Sequence, residues 1–428
     1  MKIKNVKIEQ DVLIILGESK YLDINNIQII NIITKKDLIN PVFIFNNQTF
    51  NLNNIKAFSN YRIKLDNLLQ INNQYQLTCD NLNGVYLRNF TIYPNGKIIT
   101  VNCDCDWHLT TNIWDKLKEE ENINMVYHIG DQIYNDLIFH RIYNSLKYYK
   151  VTDTFSREIK EKFYLNYFST WLNPKRRIIL ETIPNLMIGD DHDTTDDDSA
   201  IEDEYFNFIK KIALQVFSEI QIDLRIDNTH SDFYFRNYNN QLHLFIGRTY
   251  SWDYTAKDYV NYLKSIIPNQ DLKNLYIFFS KPPINFNLSP LIYLFYPTDN
   301  NNYQDLYDYL KELKDNDYQI TIISGDLHRN VLIKLYYKNK FLFNFYIVPP
   351  ISSGSTIINK INYFTTLNLI STYQYKFIYD NLVNGYLILN DNQISIYSET
   401  YLYNNLVNDF YMLYLFKWAK LTYEDLNN

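Results

Sequence analysis

Four short stretches, each following directly on a run that reads as a β-strand, do most to constrain this chain. They are Asn102-Cys103-Asp104-Cys105-Asp106-Trp107-His108, Gly130-Asp131-Gln132-Ile133-Tyr134, Gly189-Asp190-Asp191-His192-Asp193 and Ser324-Gly325-Asp326-Leu327-His328. The 428 residues include only nine glycines, three cysteines and seven histidines, yet these stretches set several of them beside carboxylates. In layered α/β folds the carboxyl ends of strands are where loops from several strands converge. The placement therefore predicts a buried sheet flanked by helices, with the four stretches gathered in space.

The rest of the chain fits that plan. From Met1 to about Asn95, short apolar or alternating runs (Val12 to Leu16, Ile27 to Ile33, Val42 to Phe45, Tyr75 to Thr78, Val85 to Ile92) are broken by Asn and Asp, which predicts a small β-sandwich or barrel over 1–95. After the turn signal Pro94-Asn95-Gly96, longer strands and helices alternate over 96–350. Strands are expected at Lys97 to Cys103, Met125 to Ile129, Leu242 to Ile246, Leu275 to Phe279, Ile320 to Ile323, Val331 to Tyr336 and Phe343 to Val348. Helices are expected at Ile113 to Glu121, Leu137 to Tyr148, 156–173 and 203–221. In the extension 351–428, a hairpin (Tyr386 to Leu389 with Ile394 to Ser398) and a helix near Leu406 to Leu421 complete or cover the core.

Charge and cysteine usage narrow the function. A net charge of -7 gives no overall attraction for polyanions, so long nucleic acid is a poor substrate expectation. Cys79, Cys103 and Cys105 cannot build a disulfide framework. The run Val12 to Leu16 is shorter than a signal-peptide core, and nothing approaches the roughly 18 uninterrupted apolar residues of a membrane span. The expectation is an intracellular, cytoplasmic protein without signal peptide or transmembrane segment. A virion is the other setting, because the Asn, Ile, Lys and Tyr excess is what an AT-rich genome such as that of a large virus imposes. No heptad or dimer stripe indicates an oligomeric state.

Chemically, Asp104, Asp131, Asp191 and Asp326 offer the oxygens that hard cations need, and His328 adds an imidazole. Two such ions would make a metal-activated water nucleophilic and neutralise charge on a phosphoryl group. Asp131 is the candidate bridge, because a rigid strand delivers it and Gly130 permits close backbone approach. Arg248 can clamp a phosphate bidentately or serve an internal salt bridge. The Asp196-Asp197-Asp198 run reads as a solvated loop, with calcium binding as the alternative.

Taken in order, the motifs resemble the PhoD-like branch of the calcineurin-like metallophosphoesterase superfamily. His128 to Asp136 looks like its GDxIY signature, Gly189 to Asp193 like its W-D-D-H-D block, and Ser324 to His328 like its S-G-D-x-H block. With the weaker Gly247-Arg248-Thr249 and Lys281-Pro282-Pro283 stretches, the resemblance covers about Lys97 to Arg329. It implies layered metallophosphoesterase-type β-sheets flanked by helices, and a PhoD-like metallophosphatase of alkaline phosphatase or phosphodiesterase type. It further implies an iron ion beside a second metal, two or more ions in all; the negative charge that Asp191 and Asp326 add favours a hard second ion, so that Fe3+ plus Ca2+ is expected, with Mn2+, Mg2+ or Zn2+ as alternatives. Cys103 and Tyr134 would bind iron, Asp131 would bridge, Asp191, Asp326 and His328 would complete the metals, and His192 would face the substrate as a general acid, its tautomer set by Asp193 or a backbone carbonyl.

The chain departs from the pattern in places. Asp191 stands where most superfamily members carry Asn, Asp326 where many have His, and Gly189 replaces the aromatic of the PhoD-like block, which opens the expected wall beside the metals. In the first stretch, Cys103 matches the branch, with Asp104 or Asp106 as additional ligand, whereas Asp106-Trp107-His108 reads as the wider D-x-H pair. The leading expectation is hydrolysis of a small-molecule or lipid-derived phosphoester. A catalytically silent structural, virion or interaction protein and a metallonuclease are the alternatives.

Overall fold

The structure, a computed structural model, describes residues 8–21, 26–105, 112–146, 153–195, 203–227, 229–251, 254–284, 303–328, 330–352, 373–381, 383–390 and 393–400. The Asp106-Trp107-His108 half of the first stretch, the Asp196-Asp197-Asp198 run and the helix expected near Leu406 to Leu421 lie outside these residues.

A helical turn, α1 (Ile8–Asp11), leads into an N-terminal all-β unit. One sheet takes β1 (Val12–Lys20), β2 (Ile27–Thr34) and β5 (Ser59–Asp66), antiparallel in the order β1-β2-β5. The other takes β3 (Val42–Phe45), β4 (Gln48–Asn51), β6 (Asn72–Cys79) and β7 (Leu82–Thr91), in the order β4-β3-β6-β7. Side chains alternate across a strand, and here Ile14, Leu16, Ile30 and Ile32 meet Phe43, Phe45, Tyr75 and Leu77 between the sheets. The other face of the first sheet is not left to water. Leu13, Ile15 and Ile33 pack on helices of the body, which explains why β1 reads as an unbroken apolar run. Buried Glu181 is gripped by Arg88 and Arg177 and hydrogen-bonded by Tyr86, fastening the β unit to the body.

The body is a pair of facing mixed sheets. A five-stranded sheet runs β10-β9-β8-β18-β19, from β8 (Lys97–Val101), β9 (Ile123–Ile129), β10 (Asn185–Ile188), β18 (Val383–Asn390) and β19 (Gln393–Thr400). β8, β9 and β10 are parallel, and β18 returns antiparallel beside β8. The seven-stranded sheet contains β11 (Phe233–Tyr238), β12 (Gln241–Ile246), β13 (Asn274–Phe279), β14 (Gln319–Ser324), β15 (Asn330–Tyr337), β16 (Lys340–Ile347) and β17 (Tyr373–Asn381), in the order β11-β12-β13-β14-β16-β15-β17. There β12, β13, β14 and β16 are parallel. Met125, Tyr127, Ile129, Leu186 and Ile188 of one sheet meet Phe245, Phe278 and Ile323 of the other.

Helices cover the outer faces. α2 (Ile113–Glu119) and α5 (Pro174–Thr182) pack on Ile99, Val101 and Val126. α7 (Ala256–Ile266) and α8 (Gln304–Asp315) pack on Leu244, Ile277 and Ile322. α3 (Asp136–Leu146), α4 (Asp153–Trp171) and α6 (Glu204–Ile220) build the cluster that meets β1. The helix expected over 156–173 is α4, and α5, which follows at once beyond that range, was not singled out from sequence. Asn173 caps α5 by accepting from Lys175 N–H at 3.1 Å, and Pro174 starts it, a stop-and-restart signal carried by the Asn-Pro pair. α7 and α8 were not singled out from sequence, although Thr255 and Asp258 form a capping box at the start of α7. Among the described residues no helix is long and apolar enough to cross a membrane.

Candidate metal centre

The parallel strands of both sheets deliver their carboxyl ends to one place. Cys103 follows β8, Asp131 and Tyr134 follow β9, and Asp190, Asp191 and His192 follow β10. From the facing sheet come Arg248 after β12 and Asp326 with His328 after β14. The loops are stitched together by backbone bonds. Cys103 N–H donates to Gly130 O at 3.2 Å and Asp104 N–H to Asp131 O at 2.8 Å. The Asp193 carboxylate accepts from Asp131 N–H (3.0 Å), Gln132 N–H (3.1 Å) and Asp190 N–H (2.9 Å). Gly130 has φ +105°, and a Cβ there would lie 2.9 Å from the Asp190 Cβ, so glycine is needed for the β9 and β10 loops to meet.

Four of the side chains sit on backbone in the left-handed region: Cys103 at φ 50°, Asp131 at 55°, Asp326 at 68° and His328 at 50°. Such conformations cost roughly 1–3 kcal/mol each for residues with a Cβ and persist where surrounding structure over-determines them.

Among the described residues these loops produce three overlapping groups of donor atoms, each group within 4.8 Å: Cys103, Asp131 and His328; Asp131, Asp191 and His192; Asp131, Asp190 and Asp326. Asp131 belongs to all three. Its Oδ2 lies 3.5 Å from Cys103 Sγ and 3.5 Å from Tyr134 OH, and Tyr134 OH lies 3.1 Å from His328 Nε2. Asp131 Oδ1 is buried without a hydrogen-bond partner among the described residues, a cost that a buried carboxylate oxygen bears only where something else completes it. On the Cys103 side, thiolate, phenolate, imidazole and carboxylate are a donor set suited to iron or another transition metal. That side fits a metal ion.

Electrostatics carries the same mark. Burial raises the Asp131 carboxyl well above the usual carboxylate range; His192 opposes the rise, and the charges of Asp191, Asp193 and Asp326 add to it. Burial and then the Asp131 charge also push the Cys103 thiol and the Tyr134 phenol well up. A bound cation inverts this order and deprotonates them. Asp191 is buried too, but Arg248, His192 and Lys281 outweigh that penalty and hold its carboxyl below the usual range. For His192, burial alone would disfavour the imidazolium, yet Asp136, Asp191 and Asp131 raise it well above the ordinary imidazole value.

Of the residues singled out from sequence, Cys103, Asp131, Tyr134, Asp191, His192, Arg248, Asp326 and His328 come together here. Asp104 does not join them. Its Oδ1 accepts from Arg176 Nη2 and from Ser352 Oγ, both at 2.6 Å, and from Trp114 Nε1 at 3.3 Å, so it balances a buried arginine and lies outside the three donor groups. Asp193, expected to set the His192 tautomer, is instead the backbone clamp described above. The partner of His192 is Asp136, whose Oδ1 lies 2.9 Å from Nδ1. Asp190 is the other residue that sequence reasoning passed over, although it stands directly beside Asp191 in the same stretch. The wall at Gly189 is closed rather than open, since a Cβ there would meet Thr249 Oγ1 at 2.1 Å and the Phe217 ring at 2.5 Å.

No family model and no curated protein matches the chain. Solved structures do. One, described as the structure of PhoD, superposes with a TM-score of 0.62 at 11% identity, covering 93% of this chain and 90% of that one. Another, the purple acid phosphatase PPD1 from yellow lupin (Lupinus luteus) seeds, gives a TM-score of 0.58 at 12% identity over 93% of this chain and 73% of that one. At these identities the likeness establishes the fold, which is metallophosphoesterase-like.

Proposed function

We propose that this chain is a metal-dependent phosphoester hydrolase whose metal is held by Cys103, Asp131, Tyr134 and His328. The observation that carries the reading is that one buried carboxylate, Asp131, is common to every donor group at the strand ends. A metal ion bound there supplies Lewis-acid activation of water and neutralises phosphoryl charge. The chain's own residues do the rest. Asp136 accepts the Nδ1 proton of His192, so Nε2 is the nitrogen left for substrate. With a side chain 23% exposed and an imidazolium favoured by its acidic neighbours, His192 delivers a proton to the departing oxygen. Tyr134 stacks on the His192 ring at 4.5 Å between centroids and fixes its plane.

The net charge of -7 disfavours long nucleic acid, so the substrate class is a small or lipid-derived phosphoester. Metal analysis of the purified chain, followed by phosphomonoester and phosphodiester panels with and without chelator, tests the reading. Stoichiometric metal with chelator-sensitive turnover is expected. A protein that takes up no metal, or that is metal-loaded yet hydrolyses neither class, would defeat it.

A further inference from the structure

Arg248 enters the site from the loop after β12 and is 5% exposed. Its Nε contacts Asp190 Oδ1, and its Nη2 lies 2.8 Å from Asp191 Oδ1 and 3.8 Å from Asp326 Oδ1. Asp190 and Asp326 form a donor group with Asp131, and such an all-carboxylate set is what a hard divalent ion takes, with its oxygens at about 2.0–2.6 Å. The guanidinium already meets the charge of Asp190 and Asp191 through their Oδ1 atoms, although Asp190 Oδ2 has no hydrogen-bond partner among the described residues, and a second cation beside it in a buried compartment is repelled. This side of Asp131 therefore does not fit a metal ion while Arg248 is in place.

The loop is built to keep it in place. The Asp232 carboxylate accepts from Thr249 N–H (2.9 Å), Tyr250 N–H (2.8 Å) and Ser251 N–H (3.2 Å). Gly247 N–H donates to Asp232 O at 2.7 Å, and Arg248 N–H to Gly189 O at 3.3 Å. The backbone is pinned on both sides of Arg248, and a guanidinium keeps its charge at any pH the fold survives.

We propose that Arg248 occupies the place of a second cation, so that the protein carries one metal ion, on the Cys103, Tyr134 and His328 side of Asp131, and the guanidinium supplies the other positive charge. This rests on the metal-centre reading above. The test is metal stoichiometry. The 428-residue chain and its Arg248→Ala variant are first loaded with iron or Zn2+, then saturated with Mn2+ or Ca2+, desalted, and assayed for total metal by elemental mass spectrometry alongside calorimetric titration. One equivalent is expected in the wild-type chain and two in Arg248→Ala with Mn2+ or Ca2+. Arg248→Gln, neutral and still long, takes two as well and stands in if the alanine variant fails to fold. Two equivalents in the wild-type chain, or one in both forms, overturn the proposal and leave the metal-centre reading intact. A chain that binds no metal overturns that reading and this proposal together.

Discussion

His192 and Asp136 form a half-buried pair, with Nδ1 and Oδ1 2.9 Å apart, although 56 residues separate them in the chain. The pair orients an imidazole beside the donor groups without making it one of their anionic members. His192→Ala should keep the metal content and lower turnover on the order of 10²- to 10⁴-fold, the usual range for loss of a general acid. Asp136→Asn should give a smaller part of that loss. Both losses should shrink for nitrophenyl esters, whose leaving group departs without a proton. Equal losses for good and poor leaving groups would move His192 from proton donation to phosphoryl binding.

Asp131→Asn removes the anionic side chain shared by all donor groups. Metal content should fall below one equivalent and turnover by on the order of 10²- to 10³-fold or more, with an unchanged far-ultraviolet spectrum. A variant with full metal content and wild-type rates would exclude the role.

Tyr134→Phe separates a metal phenolate from a packing tyrosine. In iron-loaded protein the Tyr134 phenolate should give a visible charge-transfer band, and the variant should lose or shift it. Iron-loaded wild-type protein without such a band would leave Tyr134 as the stacking partner of His192 alone.

Asp104 is predicted to act on stability and not on metal. Its ion pair with Arg176 is buried, the side chains being 8% and 1% exposed, and removing one member of such a pair costs about 3–5 kcal/mol. Arg176→Met should lower the denaturation midpoint accordingly, and Asp104→Asn should do so with metal stoichiometry preserved. Loss of metal in Asp104→Asn at unchanged stability would reverse the assignment.

His128 should make the fold acid-labile. Burial lowers its pKa from 6.5 to about 4, against a hydrogen bond with Asn185 that favours the proton. Because the folded value is the lower one, the unfolded chain takes up a proton first as pH falls. The stability His128 permits is complete above about pH 6.5 and is lost progressively toward pH 4, on the order of 3 kcal/mol in all. Urea titrations between pH 7.5 and pH 5 should show that slope, and His128→Gln, which can still donate to Asn185 but does not titrate, should flatten it. An identical slope in the variant would place the acid sensitivity elsewhere.

Local pattern carried much of this molecule. Continuous apolar runs located most strands of the body, and scarce Gly, Asp and His residues after those strands marked the loops that meet, because strand ends in a parallel sheet leave their backbone groups and side chains free to face one another. The N-terminal sandwich was legible for the same reason, as short apolar runs cut by turn residues. Tertiary structure alone decided which carboxylate meets which cation. Asp104 pairs with Arg176 across 72 residues and Asp191 with Arg248 across 57, and neither choice shows in periodicity, since each depends on where two loops cross. It also placed β18 beside β8, completing a sheet begun some 280 residues earlier. The physical reason is desolvation. A buried arginine must find an anion, and the fold assigns Asp104 to that duty while Asp131 keeps an oxygen without a hydrogen-bond partner among the described residues, a distinction that chemically identical aspartates do not reveal in one dimension.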